Sequence, residues 1–445
     1  MLAAAQPSSD LLWHMLLALA AVVASGQILG RLFRYVGQPP VIGEVLAGIA
    51  LGPSLLGWAW PAGYAYLLPP SIEPQLSVIA HLGVVLYMFA IGLELDMTAL
   101  RQSGAAALAI SLAGMVLPFV LGVGLAVGIH PSLGQGVSLL TFALFLGVAM
   151  SITAFPVLAR ILSDRQLTRT RLGQLALVCA AAGDAVAWCL LAVVVGVAQA
   201  QVGQAVSIVA GTIIYLLAMC LVVRPVIGRW LAASREPTIQ AGQVGTVMVA
   251  LLLSALATEW IGIHAIFGAF MLGAVIPHDS PLAVQLGKHI ENVVGVLLLP
   301  AFFAFTGLRT ELGLVSGTSD WLLCGLIVAV ATVGKFGGTT LAARFAGESW
   351  RNSAGLGILM NTRGLMELIV LNVGLDLGII SPGLFAMMVI MALVTTIATT
   401  PILQWIGIRS SAAIGQQGPA GSHEPAISGL AATGQAATSA PPAAR

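Results

Sequence analysis

Thirteen stretches of apolar residues follow one another between residues 11 and 407, and most are about 20 residues long. A helix of about 20 apolar residues can cross the hydrocarbon core of a bilayer. Hydrophobic residues make up 58% of the chain and charged residues only 8%, against about 25% charged in soluble domains. The sequence therefore predicts an all-α polytopic membrane protein embedded in the lipid bilayer. The predicted segments are 11–32, 40–57, 75–93, 104–127, 137–162, 172–198, 204–227, 240–260, 262–277, 288–307, 320–343, 353–375 and 380–407.

Basic residues between the segments predict how the chain is threaded. If the N-terminus lies outside, 14 of the 18 Lys and Arg residues fall in inner loops, and Arg309 is the one basic residue in an outer loop. Lys and Arg concentrate on the cytoplasmic side of membrane proteins. We therefore expect a multi-pass cell-membrane protein with its N-terminus outside and its C-terminus in the cytoplasm.

The chain divides into a membrane part, residues 1–410, and a C-terminal stretch, residues 411–445. The second part is rich in Ala, Gly, Ser, Pro and Gln and has no apolar period. Such a composition predicts a disordered cytoplasmic tail. The net charge of +1 gives no reason to expect a nucleic-acid partner.

The two halves of the membrane part resemble each other. GEVLAGIALGP at 43–53 is similar to GAFMLGAVIP at 268–277, and FAIGLELDM at 89–97 is similar to AFTGLRTEL at 304–312. These matches pair segment two with segment nine and segment three with segment ten. An offset of seven segments is odd, so the halves run in opposite directions. Inverted repeats of this kind are typical of secondary transporters.

One carboxylate, Asp184, stands in the middle of the apolar run from Leu172 to Ala198. A charge at that depth costs about 2.5–3.5 kcal/mol on insertion scales, so such residues usually have a function. Here the residue type predicts a site that holds a cation or a proton partway across the membrane. Lys335 and Arg363, in later apolar runs, are candidate partners.

Segments five and twelve, which the repeat pairs, both contain helix-breaking sequence. In SITAFPVLAR, Pro156 has no N–H and disfavours helix at Phe155. In MNTRGLMELI, Asn361 begins a polar run that ends at Gly364. Non-helical backbone is tolerated at this depth where it is buried in protein or lines a cavity. We expect two discontinuous helices that cross beside Asp184.

These motifs resemble the second family of monovalent cation:proton antiporters, which includes Kef-type potassium exporters, bacterial sodium/proton exchangers and plant cation/proton exchangers. The similar segments appear in the family's order and cover nearly the whole membrane part. They are QPPVIGEVLAGIALGPSLLG (38–57), FAIGLELDM (89–97), SITAFPVLARIL (151–162), AAGDAVAWCLLA (181–192), GKFGGT (334–339) and MNTRGLMELIVLNVGL (360–375).

The resemblance implies a fold with a mobile core, which contains the crossed broken helices, and a dimerisation domain, so a homodimer is expected. It implies that Asp184 binds the transported Na⁺ or K⁺ and the proton. It further implies that Lys335 is the lysine of a later core helix and that Thr153 is the unwound threonine of the first broken helix. No cofactor is implied.

The chain departs from the family pattern at two places. Family members have Asp-Asp, Asn-Asp or Gln-Asp at the site, whereas this chain has Gly183 before Asp184. One titrating carboxylate favours electroneutral exchange. Kef-type proteins also carry a C-terminal nucleotide-binding regulatory domain, and this chain has no dinucleotide fingerprint there, so that type of gating is not expected.

Several assignments keep two interpretations open. Lys335 either pairs with Asp184 or holds the end of a broken helix. Arg363 and Glu367, four residues apart, form an internal salt bridge or take part in transport. Thr153 binds the cation, or its hydroxyl bonds to its own helix.

The leading functional hypothesis is an antiporter that exchanges Na⁺ or K⁺ for H⁺ by alternating access. The alternatives are a gated cation channel on the same fold and a non-transporting membrane scaffold or sensor. An enzyme is not expected, because H-E-x-x-H, G-x-S-x-G and P-loop motifs are absent from the sequence.

Overall fold

The computed structural model describes residues 8–94, 104–134, 136–168, 170–199, 202–233 and 240–408, and all regular structure in these ranges is helical. The predicted tail lies outside the described residues. The α-helices are α1 (Ser8–Tyr35), α2 (Pro40–Leu51), α3 (Pro61–Leu67), α4 (Glu73–Glu94), α5 (Gly104–Leu133), α6 (Leu139–Ser151), α7 (Phe155–Asp164), α8 (Arg171–Gln199), α9 (Val202–Ala218), α10 (Arg224–Ala233), α11 (Ala241–Ile261), α12 (Ala265–Val275), α13 (Pro281–Val293), α14 (Leu299–Leu308), α15 (Thr318–Thr332), α16 (Gly338–Phe345), α17 (Trp350–Met360), α18 (Leu365–Asp376) and α19 (Pro382–Trp405).

Some of these helices are parts of longer segments. A π-helical turn joins α9 to α10 at Met219–Val223, α13 to α14 at Val294–Leu298, and α15 to α16 at Val333–Gly337. Such turns insert one extra residue into a helix and occur often at functional sites. The third of them contains Lys335.

Within the described ranges, nine long apolar segments, one bent helix pair and three shorter apolar helices correspond in order to the thirteen predicted segments. The bent pair is α17 and α18, which meet at 44°. The short helices are α2, α6 and α12. The predicted fold class is confirmed. Segment ten begins at Pro281 rather than at residue 288, and segment three is preceded by α3, so that its span begins at Pro61 rather than at residue 75.

The helices pack mainly within two groups. The first, which we call the crossing group, contains both broken helices. It consists of α5, α6, α7, α8 and α15 to α19. The second, which we call the scaffold group, consists of α1 to α4 and α9 to α14. Few helix–helix contacts join the groups, although apolar side chains of both meet in one continuous core.

Glycines of the internal repeat lie where helices of the scaffold group cross. Gly48 of α2 lies against Gly307 of α14, and Gly92 of α4 lies against Gly273 of α12. A Cβ atom at any of the four positions would clash with backbone of the facing helix. Small residues allow this close approach between membrane helices. The sequence pairs Gly48 with Gly273 and Gly92 with Gly307, so the two crossings are counterparts in the two halves.

The outer surface of the scaffold group carries apolar side chains. Ile214 is 65% exposed, Leu221 69% and Leu256 64%. Lipid tails are as apolar as these side chains. This surface therefore suits contact with a bilayer.

Candidate ion-binding site

Asp184 lies midway along α8 and is 3% exposed. Neither carboxylate oxygen has a hydrogen-bond partner. A buried carboxylate without partners is costly, because the lost hydration is not replaced. The side chains around the carboxylate are apolar except for that of Trp188, whose indole N–H also has no hydrogen-bond partner. The side chains that line this small cavity with Asp184 are Ile152, Ala187, Trp188, Met366 and Val370.

The carboxylate faces the beginning of a half-helix. The Phe155 amide, at the first position of α7, lies near Asp184 but outside normal hydrogen-bond geometry. A helix N-terminus carries a partial positive charge, which favours an anion beside it. Pro156 takes the second position of α7, where its missing N–H breaks no helical bond. The break therefore comes before Pro156, at residues 152–154.

The two broken helices cross and are hydrogen-bonded to each other. The backbone N–H of Ala154 donates to the carbonyl of Thr362 at 3.0 Å. The Thr153 hydroxyl donates to the carbonyl of Met360, also at 3.0 Å. Its bond therefore goes to the other broken helix and not to its own. At Gly364 a Cβ atom would come within 2.7 Å of a Val157 methyl group, so glycine permits the crossing.

Two buried cations hold the C-terminal end of α6. Lys335 donates to the carbonyl of Ser151. Arg363 donates to the carbonyls of Ala149 at 2.9 Å and Met150 at 2.6 Å. The last carbonyls of a helix have no partner within it and carry the negative end of the helix dipole. The cations satisfy these carbonyls and offset the dipole.

Neither cation forms an ion pair with Asp184. The charge of Lys335 reaches the carboxylate electrostatically, but both Asp184 oxygens lack a partner within hydrogen-bond distance. Of the two interpretations of Lys335, direct pairing with Asp184 does not fit this geometry. The contact with Ser151 fits the second interpretation, in which the lysine holds a helix end.

Arg363 and Glu367 form a salt bridge of 2.8 Å between side chains that have no exposed surface. Of the two interpretations of this pair, the geometry is that of the internal salt bridge. Asn361, at the end of α17, is 4% exposed, and its side-chain oxygen has no partner.

Thr396 was not among the residues expected from the sequence. Its hydroxyl accepts from the Arg363 N–H at 2.9 Å and donates to the Arg363 carbonyl at 2.6 Å. It thereby replaces the helical partners that the break removes. The available signal was the run of four threonines in TTIATT (395–400), which is unusually polar for a membrane segment.

An open cavity of about 480 Å³ separates the two groups on one side of the molecule. It is lined on the scaffold side by Arg34, Glu44 and Asn292, and on the crossing side by Val157, Arg160 and Leu365. Leu365 directly precedes Met366, which lines the small cavity at Asp184. The open cavity therefore reaches the start of α18, next to the closed site.

Two crossed broken helices around a buried carboxylate, with matching crossings in two halves, define the class of the protein as a secondary transporter built from inverted repeats. The chain belongs to the family described as sodium/hydrogen exchanger, transmembrane, which matches residues 18–407.

Similar proteins carry names from the same class. The chain is 44% identical over 386 residues to the Na⁺/H⁺ antiporter NhaS4 of Synechocystis sp., covering 86% of this chain and 94% of that protein. It is 39% identical over 394 residues to cation/H⁺ antiporter 18 of Arabidopsis thaliana, and 33% identical over 387 residues to K⁺/H⁺ antiporter 1 of Saccharomyces cerevisiae. These matches cover 87% and 84% of this chain, but only 48% and 44% of those two proteins.

The fold is also that of a solved structure. The sodium proton antiporter MjNhaP1 of Methanocaldococcus jannaschii superposes with a TM-score of 0.63 at 13% identity, covering 89% of this chain and 98% of that one. At this identity the likeness supports the fold alone.

Proposed function

We propose that the chain exchanges a monovalent cation, Na⁺ or K⁺, for a proton by alternating access, and that both ligands use Asp184. The observation that carries the proposal is the position of this carboxylate, buried at the crossing with both oxygens unpartnered. A charge so placed is stabilised by binding a cation or a proton. The relatives named for Na⁺/H⁺ and K⁺/H⁺ exchange support both choices of cation.

Thr153 is proposed as a second ligand of the cation. Its hydroxyl proton is used in the bond to Met360, which leaves the oxygen lone pairs free to face a cation. The residue is 2% exposed and lies in the break, next to Ile152, which lines the Asp184 cavity. Lys335, Arg363 and Glu367 are proposed to hold the crossing in place and not to travel with the ion.

We propose that the open cavity faces the cytoplasm. It contains Arg34 and Arg160, which belong to the basic loops that the positive-inside rule places there. We further propose that two chains form a homodimer through the scaffold group, as the resemblance implies. Cross-linking in native membranes followed by mass measurement would test the dimer.

The test of the site is Asp184→Asn in proteoliposomes that contain a pH dye and receive pulses of Na⁺ or K⁺. We expect the variant to fold and to lose exchange completely, because an amide neither binds a proton at this pH nor neutralises a cation. Asp279→Asn is the matched control, since Asp279 is exposed on a loop, and it should exchange at the normal rate. Cation-driven proton movement by Asp184→Asn would refute the assignment.

A second measurement tests whether the ligands share one carboxylate. If proton and cation compete for Asp184, the half-saturating cation concentration should be constant at high pH. It should rise about tenfold for each unit by which the pH is lowered once the site is mostly protonated. The range to measure is about pH 6 to pH 9. A constant half-saturating concentration, with only the maximal rate changing, would mean that the ligands do not share this site. Flux uncoupled from the proton gradient would favour a channel.

A further inference from the structure

Three side chains join the two helix groups on one face of the molecule. Arg309 follows α14 of the scaffold group, and its guanidinium lies 2.5 Å from the carboxylate of Asp376 at the end of α18. His81 of α4, also in the scaffold group, places Nε2 3.9 Å from the other oxygen of Asp376. We call these three residues the latch. Asp376 belongs to the crossing group, so the latch spans the boundary between the groups.

The latch is displaced from the open cavity along the helices that line it. The lining residues of the cavity nearest to the latch are Tyr87 of α4, Phe303 of α14 and Leu365 of α18. Along these helices the latch residues are six, six and eleven residues further from the cavity. At 1.5 Å per residue, these separations are about 9, 9 and 17 Å. The groups are therefore apart on one side and joined by charge on the other.

Other contacts fix Arg309 in place. Its second terminal nitrogen donates to the Asn372 side-chain oxygen at 3.2 Å, and its guanidinium lies 4.7 Å from the centre of the Phe305 ring. Asn372 in turn donates to the Thr306 hydroxyl at 3.0 Å. The side chains of Arg309 and Asp376 are 24% and 34% exposed, so the pair is accessible to solvent but partly desolvated.

His81 approaches Asp376 with a defined tautomer. Its Nδ1 lies 2.7 Å from the Ser77 carbonyl, which only accepts, so Nδ1 carries the proton in the neutral ring. In this neutral ring Nε2 is an acceptor. It faces the Asp376 carboxylate, which is also an acceptor, so no hydrogen bond can form between them. Protonation of Nε2 supplies a donor and a positive charge toward Asp376.

The remaining charged and titratable groups around His81 modify this response. The His264 ring stacks on the His81 ring at 6.3 Å with an interplanar angle of 15°. The Arg309 guanidinium and the Asp376 carboxylate are the charged groups of the latch beside His81. Glu259, which accepts from the Ala265 N–H at 2.8 Å, lies beyond His264 and adds negative charge. Histidine is the ordinary side chain that changes charge between pH 5 and pH 8.

We propose that the latch holds this face closed while the cavity side is open, and that protonation of His81 strengthens the closure when the latch face becomes acidic. Arg309 and Asp376 are thus positioning residues for the alternating-access cycle, and the latch must break each time the ion site turns toward this face. The inference rests on the proposed function, because it assumes that the groups move to expose Asp184 alternately.

Hydrogen exchange of the purified full chain tests the latch without transport. In Asp376→Asn, backbone amides near 305–312 and 372–378 should exchange about threefold faster, the factor expected for loss of a partly exposed ion pair. Amides that line the cavity, such as those of 157–163 and 292–296, should exchange more slowly, because opening one side closes the other. A purely local role would not produce protection at the distant cavity. Glu311→Gln, two residues from Arg309 and exposed, should change neither region.

If Asp376→Asn does not fold, the charge swap of Arg309→Asp with Asp376→Arg keeps an ion pair and should restore the normal pattern in both regions. Faster exchange at the latch without slower exchange at the cavity would overturn the proposal. If Asp184→Asn loses transport as expected while the latch experiment gives that result, the latch proposal fails and the proposed function stands.

The role of His81 is tested by acidifying only the latch face of proteoliposomes from about pH 8 to pH 6, with the other side held constant. Acidification also protonates Asp184, so the comparison is between the unchanged protein and His81→Gln. Over this range we expect the transport rate of the unchanged protein to fall by a factor about three times larger than that of the variant. Identical pH profiles would overturn the role of His81.

Discussion

At the scale of single residues, the buried charges divide into two sets with different surroundings. Arg363 and Glu367 pair with each other through one carboxylate oxygen, and Lys335 donates to a carbonyl. Glu367 has one partnered oxygen, whereas neither oxygen of Asp184 has a partner. A site that must take up and release an ion needs a group that the protein itself does not satisfy. Lys335 and Arg363 instead hold the end of α6 beside the crossing.

Removal of Arg363 should be among the most damaging single changes. Arg363→Met leaves the Glu367 carboxylate and the carbonyls of Ala149 and Met150 without partners, and loss of one partner of a buried pair costs about 3–5 kcal/mol. Glu367→Gln keeps an acceptor and should cost less. The double change Arg363→Met with Glu367→Leu should be milder than Arg363→Met alone. Thermal unfolding in detergent measures all three, and equal melting temperatures for Arg363→Met and the unchanged chain would contradict this reading of the pair.

At the scale of elements, the sequence predicted the breaks because their causes are local. Pro156, Gly364 and the polar run at Asn361 disfavour helix wherever the chain places them. The contacts that complete the breaks could not be predicted in this way. Lys335 is 184 residues from Ser151, and Arg363 is 213 residues from Met150. Opposite charge suggested that Lys335 pairs with Asp184, but only the folded geometry decides between a carboxylate and a carbonyl.

The crossing of the broken helices should be sensitive to a single methyl group. In Gly364→Ala the new Cβ atom would meet a Val157 methyl group at 2.7 Å, and overpacking of this kind costs about 1–3 kcal/mol. Val157→Ala in the same chain should recover much of the loss, because it removes that methyl group. Gly325→Ala in α15 is the control, since a Cβ there meets nothing within 4 Å. Melting temperatures in detergent test the series; additive effects of the two changes would mean that the residues do not interact.

At the scale of the whole molecule, the division into two helix groups was implied by the resemblance and is visible in the packing. The matched crossings of Gly48 with Gly307 and of Gly92 with Gly273 show how the repeat works. Each half contributes one helix to each crossing, so neither half could build the scaffold group alone. The sequence predicted the repeat from these glycines. Which glycine faces which is decided only when the two halves of the chain pack together.

We expect the exchange to be electroneutral. Asp184 is the one carboxylate at the site in the described ranges without a partner, and it carries either one proton or one monovalent cation. The crossing group then has the same net charge in both directions of movement, provided that Lys335 keeps its proton at Ser151. The test is to impose a membrane potential with valinomycin while Na⁺ drives exchange. A rate that rises steeply with voltage would show that further charge moves, with Lys335 as the first candidate.

The caps on the first broken helix also have a consequence for how the chain is made. The carbonyls of Met150 and Ser151 enter the membrane early, whereas Arg363 and Lys335 follow 213 and 184 residues later. At about 5–20 residues per second of synthesis, the delay is roughly 10 to 40 s. Throughout that time the nascent first half holds an unfinished helix end within the bilayer. A ribosome that stalls in this interval would leave a membrane-inserted fragment in which the last carbonyls of α6 have lost the two side chains that cap them.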